Sequence, residues 1–438
     1  MAVTEHSWSA ESPAATSDSQ DTPLSSRVNR ATRVLVAAQI IAVVVLATIT
    51  AVRYPLWSPS DEGAHFENVI YVAQHGSYPV LGETLAGEQE LAIAQGVYRA
   101  HTTINPRKFG LGGLAYEAFQ PPLYYYLAAP VTFLSGNYRT KAFLLRFFGM
   151  FLLVASVGLL ARLSRHVLKE RWLLGLAGGL VAFLLPNSIL RMVNISNGNL
   201  AVPLAILTVT EMWIAWQRGS SRRVILCGFL VGCGLLTDLF LAALVPVLIL
   251  VAFSVLRKER TKRDVAHVAG GGVIAGLIVF PWLVFNEIKY HALTANALAK
   301  REQLPIINPT HARCTVGHIP GRTALQMLQP LWPTQWEHIL VGHTFLGYLA
   351  TIFQIAFIPT ALVVTVFLGR RLLTSGLWIP LGPWVPVVII CWCAEIAFQW
   401  PTIHSRYALP FLAVLALFEI AAMLVVSRTV RPPLSAWR

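Results

Sequence analysis

Long apolar runs separated by short basic segments fill the chain from residue 34 to residue 426. They lie near 34–52, 142–161, 173–190, 199–216, 224–237, 239–256, 266–285, 343–367, 377–398 and 407–426. Within each run the apolar positions are continuous rather than alternating. Most runs approach the roughly 20 residues with which an α-helix crosses about 30 Å of hydrocarbon. The pattern predicts an all-α polytopic membrane protein with about ten transmembrane helices. A further apolar piece, 121–134, is too short to span, opens on Pro121-Pro122 and carries Tyr124, Tyr125 and Tyr126. Tyrosines suit the headgroup zone, so this piece reads as an interfacial or re-entrant helix. At Thr237-Asp238 two short runs meet almost without a loop, and a carboxylate there belongs at the surface or in a wet cavity.

Basic residues orient the runs. Residues 1–33 are polar, rich in Ser, Thr and Ala, and end in Arg27, Arg30 and Arg33. They read as a disordered cytoplasmic tail, followed by an uncleaved signal anchor at 34–52. If 121–134 does not cross, the dense Lys/Arg clusters at 162–171, 217–223, 257–263 and 370–371 and in the tail 427–438 all fall inside. If it crosses, all of them move outside. Ten crossings with both termini cytoplasmic is therefore the expected topology, for a domain covering 34–426. Two long extracytoplasmic loops result, 53–141, which carries the interfacial helices, and 286–342. The first holds seven of the 21 acidic residues.

Composition agrees with this reading. Of 438 residues 55% are hydrophobic and 13% charged, against about 25% charged in soluble domains. The net charge of +13 is explained by the inside clusters and does not imply nucleic acid. Five cysteines are an odd number, four of them in or beside apolar runs, and indicate neither a disulfide framework nor a closed zinc site. There is no internal repeat at a fixed period.

Four places can carry chemistry, all on the expected outer side. Ser60-Asp61-Glu62-Gly63-Ala64-His65-Phe66 follows the first run by about eight residues. Its carboxylates suit a general base that takes a hydroxyl proton, or a divalent cation, or simply the acidic first turn of a helix. Glu117 to Tyr126 joins Gln120 and two prolines to the tyrosines, and reads equally as an anchor. Arg146 lies at the outer end of the second run, where a guanidinium either snorkels to headgroups or holds a lipid phosphate. The same two readings apply to His404 and Arg406, ahead of the last run. Asp238, Asn286, Glu287, Lys289 and Tyr290 also stand at outer run ends.

The order of these pieces resembles the GT-C superfamily of membrane glycosyltransferases, and bacterial relatives of the dolichyl-phosphate-mannose protein mannosyltransferases in particular. The resemblance rests on Pro59-Ser60-Asp61-Glu62 with His65, on Gln120-Pro121-Pro122-Leu123-Tyr124-Tyr125 and on Leu145-Arg146. Weaker parts are Asn194-Ile195-Ser196-Asn197-Gly198-Asn199, Pro281-Trp282 with Asn286 and Tyr290, and Ser405-Arg406-Tyr407 with Pro410. It implies an inverting transferase that takes a sugar from a polyprenyl-phosphate carrier to a protein, lipid or polysaccharide acceptor, in a plasma membrane. It makes Asp61 the catalytic or substrate-positioning carboxylate and Glu62 its partner, with Arg146 and Arg406 on the lipid phosphate. His65, Gln120, Tyr124, Asp238, Asn286, Tyr290 and His404 become substrate-binding residues. It fixes no cofactor, and a divalent cation, if used, falls to Asp61 and Glu62. The chain departs from the pattern at Asp238, where a Lys is usual, and at Asn197-Gly198-Asn199, where an Asp is usual. The competing expectations are a transporter or flippase of lipid-linked sugar and a ligase that moves a lipid-linked glycan.

Overall fold

The computed structural model describes residues 23–56, 62–81, 116–184, 186–258, 261–294, 376, 378–383, 386 and 409–430. Among them the secondary structure is helical throughout. In chain order the α-helices are α1 (Pro23–Arg53), α2 (Glu62–His75), α3 (Leu123–Ala128), α4 (Tyr138–Leu168), α5 (Trp172–Leu184), α6 (Pro186–Val193), α7 (Gly198–Arg218), α8 (Ser221–Leu235), α9 (Leu244–Lys258), α10 (Lys262–Tyr290), α11 (Trp378–Leu381) and α12 (Leu409–Val430). Short 3₁₀ turns precede or extend several of them.

Five stretches of the described residues are long and apolar enough to cross a membrane: Asn29–Arg53, Tyr138–Leu184, Gly198–Arg218, Leu239–Arg257 and Lys262–Tyr290. The second holds two of the expected crossings, divided by the 3₁₀ turn Lys169–Arg171 between α4 and α5. The expected run 224–237 is the 15-residue α8, shorter than a full crossing, and 407–426 falls in α12. The run 343–367 lies outside the described residues, as does most of 377–398. The expected interfacial piece is the short apolar helix Leu123–Leu134. At the N-terminus α1 begins at Pro23, so residues 23–33, expected as part of a disordered tail, are helical. A proline suits a first helical turn, and the apolar run behind it propagates the helix outward through its polar neighbours.

One apolar core joins α1, α4, α5, α7, α8, α9 and α12, with Leu153, Leu180, Ile206, Val209, Met212, Val251 and Phe418 almost wholly buried. A second, smaller core is built where α2 and α3 lie on the end of the bundle, from Phe66, Val69, Tyr124, Tyr125, Leu145 and Ile195.

The two ends of the bundle differ in chemistry. At one end the buried carboxylate of Glu211 in α7 accepts from Arg162 of α4 and Arg223 of α8, which closes three helices together. Beside them Ser221 donates to Asp264 at 2.6 Å, and Asp264 forms a capping box with Thr261 at the start of α10. Two arginines on one carboxylate leave no lone buried charge, which a membrane interior tolerates poorly. This end carries Arg162, Arg218 and Arg223, members of the clusters the positive-inside reading assigned to the cytoplasm. The opposite end carries α2, α3 and the polar residues of the candidate site.

Candidate functional site

The site end is organised by a guanidinium. Arg146 stands two turns into α4 among Leu144, Leu145, Phe147 and Phe148, and is 1% exposed. Such a charge needs partners for all five of its N–H groups. Nε donates to Glu62 Oε1 at 2.7 Å and Nη2 to Glu62 Oε2 at 2.6 Å. The other donors reach the carbonyls of Ala51 at 3.2 Å, Tyr54 at 2.6 Å and Pro55 at 3.1 Å. Those carbonyls belong to the last turn of α1 and the residues just past it, where intrahelical donors run out. Glu62 is the first residue of α2, and its Oε1 also accepts from the Ile195 backbone N–H at 3.2 Å. One fork thus ties together the end of α1, the start of α2, α4 and the turn between α6 and α7.

Gly149, one turn beyond Arg146, makes that turn's approach feasible. An added Cβ would stand 2.6 Å from Asn199 Nδ2 and 2.8 Å from the Met192 carbonyl.

A second network surrounds α3. His65 Nδ1 and Tyr125 Oη are 2.7 Å apart in a buried hydrogen bond. Tyr78 donates to the Gln120 carbonyl at 2.8 Å. Burial, and after it the nearby Glu117 carboxylate, push the Tyr78 phenol well above its usual range, so it keeps the proton it donates. Gln120 donates to Glu117 at 2.9 Å and accepts from Asn197 Nδ2 at 3.2 Å, while the same Asn197 amide donates to the Thr237 carbonyl at 2.8 Å. The Leu123 N–H donates to the Leu236 carbonyl at 2.8 Å. Asn197 therefore bridges the Gln-Pro-Pro segment to the end of α8. Asn197→Ala is expected to cost about 1–3 kcal/mol, the usual range for stranding buried hydrogen-bonding groups. Thermal unfolding in detergent checks this, and the loss should combine less than additively with that of Gln120→Ala.

Asp238, Asn286 and Tyr290 lie at the same end. Asp238 caps the 3₁₀ turn Leu239–Ala243 by accepting from Phe240 N–H at 3.0 Å, which explains a carboxylate between two apolar segments. At the end of α10, Asn286 donates to the Leu293 carbonyl at 3.1 Å and Tyr290 Oη accepts from Leu81 N–H at 2.9 Å. Phe285 stands edge-on to both Tyr78 and Tyr290. Asp61, His404 and Arg406 lie outside the described residues.

This geometry bears on two expectations. Arg146 gives every donor to protein oxygens and has none left for a lipid phosphate. Glu62 turns its oxygens to a guanidinium and a backbone N–H. Among the described residues no three His, Cys, Asp or Glu side chains gather as a metal set. The Arg146 and Glu62 side chains tie helices of this end together. The sequence reading placed Tyr125 and Asn197 in its motifs without giving either a role, and did not single out Tyr78. The signal for Tyr125 was present in the tyrosine triplet, and Asn197 stood in a polar turn between two apolar runs.

Residues 118–293 match the family described as 6-pyruvoyl-tetrahydropterin synthase related domain, membrane protein. The chain is a multi-pass membrane protein. By structure it is similar to the oligosaccharyltransferase of Archaeoglobus fulgidus in the apo form, at 12% identity and a TM-score of 0.42, over 90% of this chain and 51% of that one. It is similar at 13% identity and a TM-score of 0.42 to archaeal oligosaccharyltransferase AglB from the same organism in complex with an inhibitory peptide and a dolichol-phosphate, over 89% of this chain and 50% of that one. The chain thus spans about half the length of these structures. No curated protein matches it by sequence.

Proposed function

We propose that this membrane protein is an inverting GT-C-type glycosyltransferase. It moves a sugar from a polyprenyl-phosphate carrier to an acceptor hydroxyl or amine on the extracytoplasmic face of the plasma membrane, with both termini in the cytoplasm. The observation that carries the reading is the Arg146–Glu62 clamp at the end of the bundle remote from the arginine clusters. It fixes Glu62, the residue after Asp61 in sequence, at the start of α2 against α1 and α4, which supports a role for the acidic motif at this end.

In this reading Asp61 removes the proton from the acceptor as its oxygen or nitrogen attacks the anomeric carbon. The bond from that carbon to the carrier phosphate breaks on the opposite face, and the configuration inverts in one displacement. His404 and Arg406 are the groups assigned to the charge developing on the departing phosphate. Arg146 takes no part in that charge and acts through Glu62. Transport of a lipid-linked sugar is the weaker reading. A carrier for protons or ions needs an ionisable group that changes partners near the midplane, whereas Glu211 of α7 is held by two arginines near the basic end.

Asp61→Asn is expected to abolish consumption of a radiolabelled polyprenyl-phosphate sugar by the purified protein while leaving its thermal unfolding unchanged. Donor consumption at the wild-type rate by this variant would remove Asp61 from the chemistry. Movement of lipid-linked sugar across vesicles with no donor consumed would replace the transferase by a transporter.

A further inference from the structure

The segment Leu123–Leu134 has two faces. Tyr124, Tyr125, Ala128 and Ala129 are buried in the second core, Thr132 is buried beside them, and through Tyr125 this face holds His65 of α2. The other face exposes Tyr126, Leu127, Phe133 and Leu134 by 43, 49, 73 and 75%. The chain then turns through 135–137 into α4, whose Phe147 and Phe151 are also exposed, at 38 and 64%, along a membrane-crossing stretch. The apolar surface of the crossing helix and that of the short segment are consecutive in the chain. An amphipathic segment at the end of a crossing lies in the interface, with its apolar face a few ångströms into the acyl boundary.

The residues that follow Leu134 carry the complementary charge. Arg139 is exposed, and Lys141, half-buried, lies over the Tyr138 ring with Nζ 4.8 Å from its centroid. Among the described residues neither meets a carboxylate in an ion pair, and Glu62, Glu67 and Glu117 at this end are all buried. Basic side chains held next to an interfacial apolar surface attract lipid phosphates, and each adds to the attraction of an anionic leaflet.

We propose that residues 123–141 form a lipid-docking surface on which Tyr126, Leu127, Phe133 and Leu134 enter the headgroup–acyl boundary and Arg139 and Lys141 take the phosphates of anionic phospholipid. The occupant is the bilayer rather than a second copy of the chain, because the surface continues into a crossing helix and its charge matches phosphate. Since the opposite face of the same short segment carries Tyr124 and Tyr125, docking sets the depth of the candidate site against the membrane. This holds whatever reaction the site performs.

The test is hydrogen exchange of the full chain, one copy per nanodisc, in phosphatidylcholine alone and with phosphatidylglycerol added. Amides of 123–134 are expected to exchange several-fold more slowly when phosphatidylglycerol is present. Arg139→Gln with Lys141→Gln should remove that difference, and Phe133→Ser with Leu134→Ser should speed exchange in both lipids, while α9 is unchanged as a control for the fold. Equal exchange of the wild type in both lipids, or a lipid effect that survives loss of both basic residues, overturns the proposal. Protection that appears only in discs holding two copies also overturns it and assigns the surface to self-association.

Discussion

Arg146→Ala is expected to destabilise the protein by about 3–5 kcal/mol, the range for breaking a buried ion pair by removing one partner. The loss has two parts. The Glu62 carboxylate is left buried without its guanidinium, and the carbonyls of Ala51, Tyr54 and Pro55 lose their donors together. Arg146→Lys should rescue little of this, because an ammonium is a point charge that cannot present a planar fork to one carboxylate and three carbonyls at once. Glu62→Gln should be milder in charge, since it leaves a neutral acceptor, but it unpairs the guanidinium. The discriminating measurement is a double-mutant cycle. Thermal unfolding of Glu62→Gln, Arg146→Met and the double variant should show the double variant losing much less than the sum of the singles. Additive losses would mean that the two residues act independently and that α2 is held elsewhere. In the proposed enzyme the double variant should also lose donor consumption despite its recovered stability, because α2 then no longer holds Asp61 in register.

The division of the chain into apolar crossings and two chemically different ends could be read from the sequence because both follow from local composition. A run of apolar residues declares a helix through its own length, and Arg162 and Arg223 declare their end by clustering with other basic residues. The short segment 123–134 was legible for the same reason, since two prolines and three tyrosines fix its type without any distant partner. The Arg146–Glu62 clamp was not legible. Its members stand 84 positions apart, and each has a sensible solitary role, a phosphate ligand for one and a general base for the other. A weaker signal was available in the neighbours of Arg146: a guanidinium between leucines and phenylalanines inside a crossing has to be paired, and the acidic residue after the first crossing was the nearest candidate in the topology. Asp238 is the converse case. Named as substrate-binding only through the resemblance, it also caps the turn that interrupts the apolar stretch, a local role its sequence position already suggested.

A close contact between two helices gives the second large prediction. An added Cβ at Gly228 of α8 would stand 2.0 Å from the Gly271 carbonyl oxygen of α10, and one at Gly271 would stand 2.7 Å from the Val224 carbonyl. Both obstacles are backbone, so no rotamer change relieves them. Small residues allow this kind of approach between membrane helices, where packing rather than water expulsion drives association. Gly228→Ala is therefore expected to exceed the roughly 1–3 kcal/mol of ordinary overpacking, and Gly228→Val to prevent recovery of folded protein. The control lies one residue along: Gly272, like Gly270, has nothing within 4 Å of its added Cβ, and Gly272→Ala should leave the melting temperature unchanged or slightly raised, as alanine favours the helix. Equal melting temperatures for Gly228→Ala and Gly272→Ala would refute the crossing. If it holds, separation of α8 from α10 should also reach the site end, since α10 supplies Asn286 and Tyr290, α8 leads into Thr237, and the Asn197 bridge relies on the Thr237 carbonyl staying in place.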